Sequence, residues 1–159
     1  MSEIDYVILG IKVEEKAIFN FNDLYKVMKK WFLENEYEFT EKEYLDIDKK
    51  DLSIKWVAEK KIDDYTRFVI EVRLKTKGMK VVTSKHKKSN KGKVSAKFES
   101  YLEKDYEDSW ETNPLSKFLR SIYDKFALKS KFDQYSGQLK EDTYAVFNET
   151  KAYLNLHKF

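Results

Sequence analysis

RLKTKGMKVVTSKHKKSNKGKVSAK, residues 73–97, holds nine lysines, one arginine and no acid. Its ends decide what it is. Phe68, Ile70, Val72 and Leu74 run into it at every second position, and Val94, Ala96, Phe98, Ser100 and Leu102 run out of it the same way. A period of two belongs to extended chain with one face buried. The first strand, 65–76, is expected to continue through Val81 and Val82, with Gly78 as a bulge or bend. Ser84 to Gly92 then forms the tip of a hairpin, and 93–104 is the return strand.

Outward from the hairpin, the same alternation marks residues 52–58, with Leu52, Ile54, Trp56 and Ala58 on one face. It also marks 37–47, with Tyr37, Phe39, Leu45 and Ile47. Asp48-Lys49-Lys50-Asp51 and Asp63-Asp64 are turn-like links between them. Four consecutive strands joined by short turns must pair antiparallel. A further strand over 4–13 places Val7, Leu9, Ile11 and Val13 on one face.

The helical signals lie at both ends. Asn20 reads as an N-cap, with Asp23 at the third helical position and a Phe19–Leu24 staple. Leu24, Val27, Met28, Trp31 and Phe32 then follow at helical spacing to an end near Asn35. Asn113-Pro114 is a helix start, followed by the stripe Leu115, Phe118, Leu119, Ile122, Tyr123 and Phe126. A second helix over about 131–156 carries Phe132, Tyr135, Leu139, Val146, Phe147, Tyr153 and Leu154. Gly137 is its weak point, at about 1 kcal/mol against Ala.

The expected fold is therefore α+β, in the order β-α-β-β-β-β-α-α. A curved antiparallel sheet packs against one N-terminal helix and long C-terminal helices, since one sheet face needs cover and only helices are available. No repeat or Gly/Ser/Pro-rich linker divides the 159 residues, so a single domain, 1–159, with a projecting basic hairpin about 73–97, is expected. This strand–helix–sheet–long-helix order resembles the helix-grip (START-like) arrangement, which implies a sheet that grips its last helix. Separately, KFESYLEKDYEDSWETNPLSKFLRSIYDKF, residues 97–126, resembles a family of small uncharacterised archaeal proteins, a resemblance that implies no activity.

Composition removes several chemistries. There is no cysteine, so disulfides and thiolate sites are impossible. His86 and His157 lack partners at ligand spacing, so no metal is expected. No serine sits in a nucleophile elbow. The four glycines, at 10, 78, 92 and 137, build no phosphate loop, and no cofactor is expected. The start, MSEIDYVILGIKVEE, has a short apolar run flanked by acids and no basic leader. No apolar segment approaches the ~20 residues of a membrane span. The expectation is a cytoplasmic protein without a membrane span.

Glu99, Glu103, Asp105, Glu107, Asp108 and Glu111 crowd the end of the return strand. Paired acids do acid/base work where burial separates their pKa values. Alternation, however, sends Glu99, Tyr101, Glu103 and Asp105 to the face opposite Phe98 and Leu102, which is solvent. Catalysis by this cluster is the weakest of the functional readings, and no catalytic residue is assigned. Tyr101, Tyr106 and Trp110 nearby read as a lid where sheet meets helix.

Charge asymmetry carries the main expectation. The net charge of +3 hides +10 in residues 73–97, which leaves 21 basic against 28 acidic residues elsewhere, or −7. Lys75, Lys77, Lys85, Lys87, Lys91, Lys93 and Lys97 share odd parity, so the hairpin is apolar beneath and cationic above. Such lysines serve as edge protection and solubility, as phosphate contacts, or as a dock for an acidic partner. The reading developed furthest is a non-enzymatic module that contacts RNA or a ribonucleoprotein, for instance on a ribosome, through Lys85, Lys87, Lys88, Lys91 and Lys93, with Lys75 and Lys77. Lysine in place of arginine speaks for backbone contact over base readout. A homodimer, with the basic hairpin on the acidic region 34–48 of a second copy, satisfies the same asymmetry. The alternative of a different class is a helix-grip-like carrier of an apolar small molecule or lipid, lined by Trp56, Phe68, Phe98 and Phe118.

Overall fold

Strands and helices follow in the expected order. In the computed structural model, which describes residues 2–47, 51–84, 86–106, 114–122, 125 and 129–159, the elements are β1 (Glu3–Phe19), α1 (Phe21–Glu34), β2 (Glu38–Ile47), β3 (Asp51–Lys61), β4 (Thr66–Ser84), β5 (Lys87–Lys104), α2 (Pro114–Ile122) and α3 (Lys129–His157). The five strands form one antiparallel sheet in the order β1-β5-β4-β3-β2. Thus the first strand pairs with the last, and β1 and β2 are the edges.

Asn20 caps α1, its side chain accepting from the backbone N–H groups of Asn22 and Asp23. Leu24, Met28 and Phe32 are buried, with Val27 and Trp31 half-buried beside them. In α3 the buried stripe is Phe132, Leu139, Thr143, Val146, Thr150 and Leu154. Thr143 and Thr150 are tolerated there because each hydroxyl donates to the carbonyl four residues earlier, at 2.7 and 2.9 Å; a buried hydroxyl needs such a partner. Both helices lie on the sheet face that carries Val13, Ala17, Trp56, Ala58, Phe68, Ile70, Val72, Val94, Ala96 and Phe98. The core between is ring-rich: Phe32 stacks on Phe39, and Phe98 meets Phe147 edge-on.

Several expectations are corrected. β1 does not alternate from end to end. Its register against β5 shifts between Tyr6 and Ile8 and again between Ile8 and Ile11, so Leu9 is turned outward and is 74% exposed. The strand also runs six residues past the expected end, because Glu15, Ala17 and Phe19 prolong the inward row of Ile11 and Val13. In β2 a shift between Glu41 and Glu43 leaves Leu45 and Ile47 exposed on the sheet edge. The hairpin has no long tip. β4 and β5 stay paired to Ser84↔Lys87, with His86 in a left-handed conformation (φ 67°). Asp105 is buried rather than solvated; it has left the strand with φ 53°, and its N–H donates to the Tyr65 carbonyl at 2.7 Å. Gly137 does not break α3. The apolar stripe of α2 is not core: Leu115, Phe118, Leu119 and Ile122 are all exposed. Asp48, Lys49, Lys50, Lys85, Glu107, Asp108, Trp110, Glu111, Asn113, Tyr123 and Phe126 lie outside the described residues.

The expected bulge at Gly78 is present. The register of β4 shifts between Lys77 and Lys80, with Gly78 at φ 64°. Met79 folds inward over Gly92, where a Cβ would meet Met79 Sδ and come within 3.1 Å of the Lys77 carbonyl oxygen. Only hydrogen at residue 92 leaves room for that crossing. The shift has a consequence for charge, because Lys80 is brought to the same sheet face as Lys75 and Lys77.

Candidate functional site

The sheet face opposite the helices carries the basic residues. Reading the register across the sheet, Lys12 of β1 stands beside Lys97 of β5, Lys97 beside Arg73 of β4, and Arg73 beside Lys55 of β3. Four residues toward the hairpin end, Lys16, Lys93 and Lys77 form a second row. Lys91 and Lys80 follow one step beyond. Between the two rows lie Glu14, Ser95, Lys75 and Ser53. One step on the other side of Lys97, Glu99 pairs with Glu71 and closes the basic region with carboxylates.

Two grooves occupy this surface. One, of about 510 Å³, is lined by Gly10, Lys12, Lys55, Glu71, Arg73, Lys75, Ser95, Lys97 and Glu99 among others. The other, of about 430 Å³, shares Lys12, Lys75 and Ser95 and extends to Glu14, Ser53, Lys77 and Lys93. Gly10 shapes the first: the Lys97 stem lies across it, so close that a Cβ there would stand 2.7 Å from Lys97 Cε.

Carboxylates on the same face hold some of these cations. Lys12 bonds Glu14 at 2.9 Å, and Lys93 approaches the same carboxylate at 3.9 Å. Together they hold Glu14 below the usual carboxylate range, Lys12 dominating. Lys97 pairs with Glu99, Lys55 with Glu71, and Arg73 with Glu43. All are half-exposed or exposed pairs, which water and salt weaken. Lys16, Lys75, Lys77 and Lys80 make no ion pair among the described residues. The face keeps a large positive excess in two rows, with Ser53, Ser95, Lys75 and the ion-paired Glu14 between them.

The hairpin lysines are thus divided. Lys75, Lys77, Lys87, Lys91 and Lys93 lie on the helix-free face, as their odd parity required. Lys88, paired with Thr83, belongs to the opposite face, and Lys85 lies outside the described residues. Lys91 also covers the Phe159 ring at 4.5 Å. The residues that sequence reasoning missed are Lys12, Lys16, Lys55, Arg73 and Lys80. Lys12 and Lys16 alternate with buried Val13 and Ala17, a visible signal, but their neighbours on β5 are more than 70 residues away in the chain.

The other candidate sets are placed differently. Trp56, Phe68 and Phe98 are buried under the helices, and Trp56 Nε1 donates to Glu41 at 3.3 Å. Phe118 does not join them; it is 61% exposed on α2. Of the acidic cluster, Glu99 is taken by Lys97 and Glu103 by Arg67 at 2.7 Å. Tyr101 is half-buried and donates to Glu71 at 3.3 Å; burial, reinforced by the Glu71 and Glu103 carboxylates, raises its hydroxyl well above the ordinary tyrosine range. The acids of 34–48 that are described, Glu38, Glu41, Glu43 and Asp46 among them, line the edge strand β2. Among the described residues no group of His, Cys, Asp or Glu could hold a metal ion, and no helix is long and apolar enough to cross a membrane.

No family model matches the chain, and no curated protein matches it. Among solved structures it is similar to a putative uncharacterized protein from Rhizobium leguminosarum, at 7% identity over 99% of both chains, with a TM-score of 0.25.

Proposed function

We propose that this chain is a non-enzymatic module that binds RNA through its phosphate backbone, using the helix-free face of the sheet. The observation that carries this reading is the continuity of the cations across four strands, from Lys12 through Lys97 and Arg73 to Lys55. Edge protection requires lysines on edge strands, yet β5 and β4 are the second and third strands of the sheet. Solubility alone does not require a lattice of like charges, whose mutual repulsion destabilises the chain that carries it. A polyanion relieves that repulsion and releases its own counterions on binding.

The chemistry suits backbone contact. Within the basic rows only Arg73 is arginine, and arginine is the commonest reader of base edges; Arg67, on the same face beyond Glu71, is held by Glu59 and Glu103. Ser53 and Ser95 between the rows add hydroxyls suited to sugar or phosphate oxygens. The experiment is retention of the purified chain on immobilised RNA across a salt series, beside the variant Lys77→Glu/Lys91→Glu/Lys93→Glu. The reading expects salt-sensitive retention that the variant loses while its far-ultraviolet circular dichroism is unchanged. Equal retention of both proteins at every salt concentration contradicts it.

A further inference from the structure

Most cations of the helix-free face stand in two ranks, with Lys75 between them and Lys80 and Lys91 beyond the second. One rank crosses the sheet at Lys12, Lys97, Arg73 and Lys55; the other crosses it four residues away at Lys16, Lys93 and Lys77. Neighbouring strands are about 4.8 Å apart and a strand rises about 3.3 Å per residue. Cations within a rank therefore stand about 5 Å apart, and the ranks about 13 Å apart. The second groove lies between them, with Ser53 and Ser95 in its lining.

A single nucleic-acid strand carries one phosphate per ~3.4 Å of axis, so its run of charges matches one rank and leaves the other idle. Two backbones that face each other across a wide groove match both; the widest groove of B-form DNA measures about 12 Å. Single strands are held largely by stacking bases on rings, and none of the strand positions in or between the ranks is aromatic. Tyr6 and Tyr101, on this face beyond the acidic border, pack edge-on against each other at 5.5 Å, and the Phe159 ring lies under Lys91, outside the ranks. A DNA major groove is read by a helix or ribbon inserted into it, and α1 and α3, the helices packed on the sheet among the described residues, lie on the opposite face. The wide, shallow minor groove of A-form RNA instead offers both backbones to a broad surface.

We infer that the face binds double-stranded RNA in preference to single-stranded RNA, with one backbone on each rank and the groove between them under the minor groove. This rests on the reading of the face as an RNA surface. The test is fluorescence anisotropy of the purified chain with an RNA duplex of about 20 base pairs, long enough for a shape-reading domain, with either of its strands alone, and with the DNA duplex of the same sequence. The RNA duplex is expected to bind roughly tenfold or more tighter than the single strand, and each rank variant, Arg73→Glu/Lys97→Glu or Lys77→Glu/Lys93→Glu, to lose roughly tenfold on the duplex. The control Lys26→Glu/Lys140→Glu, on the helix side, is expected to change affinity less than about twofold. Where a reversal costs folding, the Gln versions of each rank take its place. A single strand bound as tightly as the duplex, or a duplex that loses affinity with only one rank, overturns the inference and leaves the RNA reading standing. A DNA duplex bound as tightly as the RNA duplex overturns the assignment to RNA. No binding of any of the three overturns both.

Discussion

The Tyr37 hydroxyl donates a hydrogen bond to Asp142 Oδ2 at 2.8 Å and thereby ties the residue ahead of β2 to the middle of α3. Tyr37 is among the largest fully buried side chains, and its ring packs on Phe32 and Trp31. Burial, reinforced by the adjacent carboxylate, raises its hydroxyl far above the ordinary tyrosine range.

Tyr37→Phe keeps the ring and removes the bond. A hydrogen bond to a charged group contributes about 1.5–3 kcal/mol, so a loss of that order is expected in urea unfolding at pH 7. The pH dependence has a definite sign. A hydroxyl raised in the folded state stabilises fully below the unfolded value of about 10, and that contribution is lost as pH rises above it. The stability gap between wild type and Tyr37→Phe should therefore narrow above pH 10. A gap constant from pH 7 to 11 counts against the bond.

Asp63 holds the β3–β4 turn against α3. Its Oδ1 accepts from the Tyr65 and Thr66 N–H groups at 2.9 and 2.7 Å, and its Oδ2 from the Tyr135 hydroxyl at 3.0 Å. Lys131 lies 3.4 Å away. Burial pushes its carboxyl up, but the Tyr65 and Thr66 N–H groups, the Tyr135 hydroxyl and Lys131 together hold it below its ordinary value. A depressed carboxylate stabilises above the unfolded value of about 3.9, and the contribution is lost as pH falls through the folded value. Asp63→Ala is expected to cost about 2 kcal/mol at pH 7, with the difference shrinking below about pH 4; acid titrations of both proteins followed by circular dichroism check it.

The glycines separate by environment. At Gly137 an added Cβ meets nothing within 4 Å, so Gly137→Ala should stabilise by about 1 kcal/mol through helix propensity. At Gly92 the Cβ meets Met79 and the Lys77 carbonyl, so Gly92→Ala should destabilise and open the bulge. Thermal melts of the two variants should shift in opposite directions.

The register of β1 is tested at Leu9. Leu9→Lys should change stability by less than about 0.5 kcal/mol, as expected at an exposed position. Val13→Lys, at a residue 6% exposed, should prevent folding. Comparable damage from both would restore the unbroken alternation that the sequence suggests.

Much of the fold is legible because the signals are local. Phe68–Leu74 and Val94–Leu102 alternate cleanly, Asn20 is a cap with its donors two and three residues on, and Gly78 marks its bulge. What escapes depends on contacts distant in sequence. The shifts in β1 around Ile8 are set by pairing with β5, and Leu45 and Ile47 are exposed because the shift between Glu41 and Glu43 turns them to the helix-free face, opposite Ser53 and Asp51. Thr143 and Thr150 read as polar, yet their hydroxyls are satisfied within α3 and both are buried. The basic face divides in the same way. Odd parity identifies Lys75, Lys77, Lys91 and Lys93. Lys12 and Lys16 join them because the first strand pairs with the last, and Lys80 because the bulge reverses the parity of β4.

The most direct test of the basic face is the RNA dissociation constant measured across a salt series for wild type and for Arg73→Glu/Lys77→Glu/Lys93→Glu/Lys97→Glu. The account predicts that wild-type affinity falls steeply with salt, and that the variant binds weakly with a log–log slope smaller by roughly one per phosphate contact removed, about four in all. Wild type and variant with the same affinity and the same slope would contradict it.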